Sequence, residues 1–306
     1  MKKLGKIVKW TLICIVGFVL VGFIASEMTI AILGNQAADT ALYDYETVAV
    51  DDINIAYRTL VPEGEKTLII VHGFLGSSYE YIDTFDSVDT NTFNTRVIAL
   101  DTPGFGMSDK PEDYVYTNQN HAETLLKAIE TLEIDSYILL GHSLGGEIAQ
   151  RMASESDAVE KLFLLDPVAP DMATDPVSIP RPFYTVLFKN YWLQRLGFNS
   201  APVDPLPREV FRPALLQNHQ IPSRILQKFS EDVDDTFPVE FASSITIPVY
   251  VTYGEFDTWT SPDLLDRYLD LYPQAEGSII EGSGHLPYLE NPEKTTSLIE
   301  KFINND

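Results

Sequence analysis

The string Gly141-His142-Ser143-Leu144-Gly145 places a serine between two glycines, directly after the apolar run Tyr137–Leu140 and directly before a helical pattern. A tight strand-to-helix turn there lifts the hydroxyl above a sheet and aims the positive end of the following helix at it, which is what nucleophilic attack requires. Such a turn strains the backbone of Ser143, and only glycine at Gly141 and Gly145 lets neighbouring backbone approach without a Cβ clash. The competing reading is a glycine-rich turn that happens to hold a serine; the flanking strand and helix separate the two. A serine hydroxyl is a poor nucleophile at neutral pH and needs a neutral imidazole to accept its proton. Five histidines are available. His121 falls on a helix face, His219 lies in a segment without strand pattern, and His142 leaves the turn in another direction as filler. His72 opens a loop, where an imidazole fastens the loop by hydrogen bonds. His285 follows Gly282-Ser283-Gly284 on a late loop, where it can swing over Ser143, its alternative being an exposed loop histidine. The base in turn needs a carboxylate to fix its tautomer. Asp257, just past the run Val249–Tyr253, is expected to supply it. Asp166, at the end of Leu162–Leu165, is the alternative acid, and its other role is a loop cap bonded to backbone amides.

These side chains lie far apart along the chain and need a frame. Thr47–Val50 and Ile53–Leu60 predict a hairpin around Asp51-Asp52, and Thr67–Val71 predicts a buried strand. Further apolar runs recur at Arg96–Leu100, Tyr137–Leu140, Leu162–Leu165, Val249–Tyr253 and Gly277–Ile280. Between them, Asn118–Leu132, Leu144–Ala153, Pro262–Leu271 and Pro292–Ile303 carry helical periodicity. The alternation implies a doubly wound, mostly parallel α/β sheet of about eight strands with right-handed crossovers. From about 171 to 244 the rhythm breaks, with many prolines, no strand pattern and clustered aromatics (Phe183, Tyr184, Phe188, Tyr191, Trp192, Phe198). That interval predicts an inserted helical cap, whose aromatics form either its own core or the wall of an apolar pocket.

At this level the chain resembles the α/β-hydrolase family, over nearly all of residues 46–306. The resemblance rests on the GHSLGG elbow, His72-Gly73 after one strand, Asp101-Thr-Pro-Gly104-Phe-Gly106-Met-Ser108 after the next, Gly254-Glu-Phe-Asp257 after a late strand and Gly284-His285 near the end. It implies a nucleophile, acid and base in the chain order Ser143, Asp257, His285, with the cap in the wide gap after the serine. It also implies an oxyanion hole made by the backbone N–H groups of Phe74 and Leu144, and a loop-structuring role for His72, Gly73, Gly141 and Gly145. The stretch Asp101–Ser108 is expected to shape a neighbouring loop through turns at Gly104 and Gly106 and to carry no chemistry. Dehalogenases and epoxide hydrolases of the family attack with aspartate, and Ser143 stands in that place. Its proline-specific aminopeptidases show a longer glycine run than His72-Gly-Phe-Leu-Gly-Ser-Ser78. The expected activity is therefore that of a serine esterase or lipase-like enzyme working through an acyl-enzyme. The same triad on another substrate (aminopeptidase, C–C bond hydrolase, perhydrolase) and a non-catalytic ligand sensor are the alternatives.

Composition bounds the partners. The chain has 306 residues, 45 Asp and Glu against 21 Lys and Arg, a formal charge of −24 and one cysteine, Cys14. Such an acidic body has no surface for nucleic acid, and one cysteine closes no intrachain disulfide and builds no zinc or iron–sulfur site. No cofactor and no metal are expected; the run Glu231–Asp235 lacks calcium-loop spacing and reads as a solvated face. The substrate is expected to be a small molecule, a neutral or apolar ester. Residues 1–6 read as a short basic tail and 7–27 as a transmembrane signal-anchor. The nineteen residues from Ile7 to Ala25 reach roughly 28 Å as a helix, the thickness of a bilayer core. Four lysines precede the uncharged stretch Trp10–Ala25 and every acid follows it, which holds the amino end in the cytoplasm and the body outside. A cleaved, secreted form is the alternative. Residues 28–45 read as a spacer.

Overall fold

The computed structural model describes residues 17, 20–32, 44–86, 88–89, 93–169, 184–185, 188–232 and 239–305. Eight strands form one sheet in the order β1-β2-β4-β3-β5-β6-β7-β8. They are β1 (Glu46–Val50), β2 (Ile53–Val61), β3 (Lys66–Val71), β4 (Thr95–Leu100), β5 (Tyr137–His142), β6 (Val159–Leu165), β7 (Val249–Gly254) and β8 (Glu276–Ile280). The β1–β2 hairpin turns through Asp51, at φ +51°, and pairs antiparallel; β2 pairs antiparallel with β4. Every later neighbour is parallel.

Central strands buried on both faces read as unbroken apolar runs, and here alternate residues feed two cores. Ile69, Val71, Leu139, Leu162, Leu164 and Val251 face one core. The helices Asn118–Thr131 and Leu144–Glu155 cover it with Leu125, Ile129, Ile148 and Met152. Leu68, Ile70, Ile138, Leu140, Phe163 and Leu165 face the other core, closed by Ile299, Phe302 and Ile303 of the helix Pro292–Asn304. Complete burial of one such side chain contributes about 1.5–3 kcal/mol, so the sheet is a rigid platform for whatever its strand ends carry.

Between β6 and β7 the described residues hold no strand. They form helices at Tyr191–Phe198, Arg208–Gln220 and Ser223–Asp232 and a 3₁₀ segment at Val239–Ser244. Phe183 and residues 170–182 lie outside the described set.

Most of the expected span 7–27 also lies outside the described residues, as does Cys14. Among the described residues no helix is long and apolar enough to cross a membrane, so the anchor finds no support there. Residues 28–32, the start of the expected spacer, continue the helix of residues 20–27, and this helix meets the cap. Ser26 Oγ accepts a 2.7 Å hydrogen bond from the Tyr191 amide, Glu27 lies 3.4 Å from His219, and Ile30 packs against Tyr191 and Leu215.

One close approach ties the frame to the loops above it. A Cβ on Gly254, at the end of β7, would lie 2.0 Å from the Gly284 carbonyl oxygen. Backbone cannot yield as a flexible side chain would, and forced overpacking costs about 1–3 kcal/mol. Gly254→Ala is expected to lower Tm by several degrees in a thermal melt, at roughly 2–4 °C per kcal/mol for a chain of this size. An unchanged Tm would contradict the contact.

Candidate active site

Strand order brings the carboxyl ends of β3, β5, β6 and β7 side by side, and a parallel sheet collects ligands at that edge. Ser143 follows β5 immediately and sits at φ +51°, ψ −121°, which an L-residue adopts only under constraint. The constraint is steric. A Cβ on Gly141 would lie 2.3 Å from the Gly145 carbonyl oxygen, and one on Gly145 would lie 2.3 Å from the Val71 oxygen. The Ser143 amide continues the β5–β6 ladder by donating to Leu165 O at 3.0 Å, and the next helix begins at Leu144. The hydroxyl therefore stands on a turn fixed from both sides.

His285 reaches this hydroxyl from a loop beyond β8. Its Nε2 lies 3.0 Å from Ser143 Oγ, and its Nδ1 lies 2.8 Å from Asp257 Oδ2. With a carboxylate at Nδ1, the proton belongs on that nitrogen and Nε2 is free to accept from the serine. Asp257 Oδ1 accepts from the Trp259 and Thr260 amides, and Oδ2 also accepts from the Thr260 hydroxyl at 2.5 Å. Burial alone would raise the Asp257 carboxyl. The hydrogen bond and charge of His285, with those of Thr260 and Trp259, outweigh it and hold the group well below the usual carboxylate range. The Trp259 ring lies over His285 at 5.2 Å between centroids.

Three further contacts set the His285 loop. His142 Nε2 lies 2.9 Å from the His285 carbonyl oxygen, so the histidine beside Ser143 fastens His285. Burial pushes the His142 imidazole down to about 3, which keeps it neutral and leaves Nε2–H as the donor. The His285 amide donates to Ala201 O at 2.8 Å, and Glu290 accepts from the amides of Gly284 and Leu286. The role of filler expected for His142 understates it.

His72 is elsewhere engaged. Its Nε2 accepts from the Thr102 amide at 3.0 Å, so the neutral ring carries its proton on Nδ1, 2.8 Å from Gly73 O; burial lowers its pKa. It pins the loop that carries Gly73 and Phe74. A Cβ on Gly73 would touch the Ser143 Cβ at 3.0 Å. The amides of Phe74 and Leu144 make no hydrogen bond among the described residues. Leu144 opens its helix, where the first amides have no intrahelical acceptor. Below this loop Asp101 accepts from the amides of Ser78 and Met107, and Gly104 and Gly106 turn at φ +90° and +50°.

Asp166 does not reach the histidine as a partner. It sits at φ +46°, fully buried, with Oδ1 accepting from the Gly254 amide at 2.7 Å and Oδ2 unpaired. Burial, then the charge of Asp257, push its carboxyl well above the ordinary value. It keeps its proton where Asp257 has lost its own. Donor atoms of Asp166, Asp257 and His285 lie within 4.8 Å of one another, a spacing open to a metal ion. Asp257 and His285 already bond each other and Asp166 is neutral, so the cluster favours acid–base chemistry over ligation.

Ser143 and His285 open into a cavity of about 310 Å³. Phe188, Leu193, Phe198 and Leu215 of the cap face Ser143 and Phe74 across it. Among the described residues the expected aromatic cluster divides: Tyr184 is buried with Phe105, Tyr116 and Phe229, Tyr191 is buried against Leu215 and Ile30, Trp192 is half exposed, and Phe188 and Phe198 line the cavity. Glu80, Thr260, Tyr288 and Glu290 were not singled out by sequence. None lies in a motif; only the fold brings them to the site.

A family model described as alpha/beta hydrolase fold matches residues 66–205, a stretch that includes Ser143 and ends before Asp257 and His285. The chain is 31% identical over 233 residues to the AB hydrolase superfamily protein YisY of Bacillus subtilis (strain 168), covering 69% of this chain and 82% of that protein. To the esterase YbfF of Escherichia coli (strain K12) it is 23% identical over 275 residues, covering 83% and 99%. The crystal structure of a membrane phospholipase A, a bacterial virulence factor, superposes with a TM-score of 0.71 at 22% identity, covering 99% of this chain and 98% of that one. At that identity the likeness is one of fold.

The neutral Asp166 has a consequence for stability. Its folded pKa lies above its unfolded value of about 3.9, so its favourable contribution is complete below pH 4 and is lost as pH rises towards the folded pKa. Asn cannot ionise in either state. Asp166→Asn is expected to raise Tm relative to wild type at pH 8, with the gain fading as melts are repeated down to pH 4. A gain that grows towards acid would reverse the assignment.

Proposed function

Because this chain belongs to the α/β-hydrolase family, we propose that it is a serine hydrolase of carboxylic esters. The observation that carries this reading is the continuous bonding of Ser143 to His285 and of His285 to Asp257, at 3.0 and 2.8 Å, at the wall of an apolar cavity. The esterase among its relatives supports the same class.

In the proposed reaction His285 Nε2 takes the Ser143 proton as Oγ adds to the ester carbonyl. The oxyanion so formed is held by the amides of Phe74 and Leu144. His285 then passes the proton to the departing alcohol, leaving Ser143 acylated. Water, deprotonated by the same nitrogen, releases the acid and restores the serine. Asp257 keeps the imidazole in the productive tautomer throughout. Losing one oxyanion donor costs about 10²–10³ in turnover, yet both donors here are backbone groups and survive ordinary substitution.

The proposal includes a membrane tether at residues 7–27, with the amino end cytoplasmic and the catalytic domain on the outer side, on the strength of the uncharged run and the lysines before it. Full-length protein is then expected to stay with membranes through carbonate extraction and to be released when residues 1–16 are removed. A shortened chain free in the medium would point to cleavage instead.

For the chemistry, wild type is expected to react with a fluorophosphonate and to turn over short p-nitrophenyl esters, and Ser143→Ala to lose both while melting normally. Asp257→Asn is expected to lose about 10⁴ in kcat, the size of effect known for a triad with the wrong tautomer. A folded wild type inert to both reagents would leave a ligand sensor as the better reading.

A further inference from the structure

One acidic side chain lines the cavity without belonging to the triad. Glu80 is the only carboxyl among the described residues that line it, and no lysine or arginine lines it. It is nearly buried, in the 3₁₀ segment Ser78–Tyr81. That segment is held rigidly: the Ser78 amide donates to Asp101 at 2.6 Å, and the Ser78 hydroxyl accepts from Arg58 at 2.5 Å. Glu80 Oε2 accepts from the Tyr288 hydroxyl at 3.0 Å, and the carboxyl also accepts from the Ser77 backbone amide. The surrounding wall is largely hydrocarbon, from Phe188, Leu193, Phe198, Leu215 and Leu286. Both bonds are accepted by the carboxyl, so the O–H of its neutral form is used by neither, and a donor left unpaired against such a wall is unfavourable unless something in the cavity meets it.

We propose that Glu80 reads a free hydroxyl group on the substrate, so that the preferred esters combine an apolar chain with a hydroxyl at one fixed position. This rests on the ester-hydrolase reading above and goes on to name the substrate class. Burial pushes the Glu80 carboxyl up to about 8, against the hydrogen bond from Tyr288, so at neutral pH the group is uncharged. An uncharged carboxyl both donates and accepts, as a hydroxyl does, and the pair can satisfy each other where water is scarce. An ammonium group would instead have to draw the proton off first. A site whose buried polar atom awaits a partner rejects the analogue that lacks it more strongly than an apolar pocket rejects an extra methylene.

The experiment uses the full chain in detergent and a matched set of esters: butyl hexanoate, its 2-, 3- and 4-hydroxybutyl counterparts, and butyl esters of singly hydroxylated hexanoic acids. One hydroxyl position is expected to raise kcat/KM about tenfold over butyl hexanoate, the effect of one neutral hydrogen bond. Glu80→Met should bring that ratio to about one while butyl hexanoate is still turned over; Glu80→Gln, which keeps a donor and an acceptor, should retain most of it. The ratio within one variant is independent of how much of that variant is folded. If Glu80→Met does not fold, Glu80→Ala takes its place with the same expected ratio. A wild-type ratio that is flat across hydroxyl positions, a preference that survives Glu80→Met, or a stronger preference for a trimethylammonium ester would overturn the proposal. Failure to hydrolyse every ester in the set would overturn the ester-hydrolase reading instead.

Discussion

The left-handed backbone of Ser143 is the constraint on which everything else rests. At φ +51° the residue is costly to hold, by about 1–3 kcal/mol, and it persists only where its surroundings over-determine it. Two glycines do this by absence: each leaves room for a carbonyl oxygen that a methyl group would meet at 2.3 Å. The strain is therefore distributed over β3, β5 and the helix Leu144–Glu155, none of which can relax alone. The hydroxyl is raised to the sheet edge and the first amides of that helix are turned towards it.

Around that point the polar groups are arranged so that only some are ionised. Asp257 is anionic beside its histidine, and Asp166, packed near it, is neutral. His72 and His142 are buried and neutral; His72 spends both ring nitrogens on backbone and His142 its Nε2. Two carboxyls in one low-dielectric region are pushed apart in pKa because both cannot be charged. The environment thus assigns the acid, and the loser becomes a hydrogen-bonded strut under Gly254.

Much of this was legible in the chain. The strands predicted from short apolar runs all exist, most starting one to three residues earlier, because edges and ends of strands carry polar residues that hydropathy does not mark. Eight strands in a mostly parallel sheet follow from alternation with helical periodicity. Ser143, His285 and Asp257 could be named because each sits at a turn whose glycines betray a special backbone. What sequence could not place were residues whose importance comes from a distant partner. Glu80 meets Tyr288 across 208 positions, and nothing near either residue signals the meeting. Thr260 and Glu290 are ordinary polar residues until the loops converge. Residues 28–32, which continue the helix of residues 20–27, were read as spacer because hydropathy ended the apolar run at Ala25; Ser26 and Glu27, just past that run, are polar and find partners on the cap.

His142 bonds the carbonyl of His285, so the Ser143 turn and the His285 loop are parts of one small rigid body. The cap supplies walls to the cavity but no atom to the bonded path among Ser143, His285 and Asp257. Away from Ala201, whose carbonyl holds the His285 amide, the roof could be rebuilt by insertion, deletion or repacking, altering what is admitted, while Ser143, His285 and Asp257 keep their spacing.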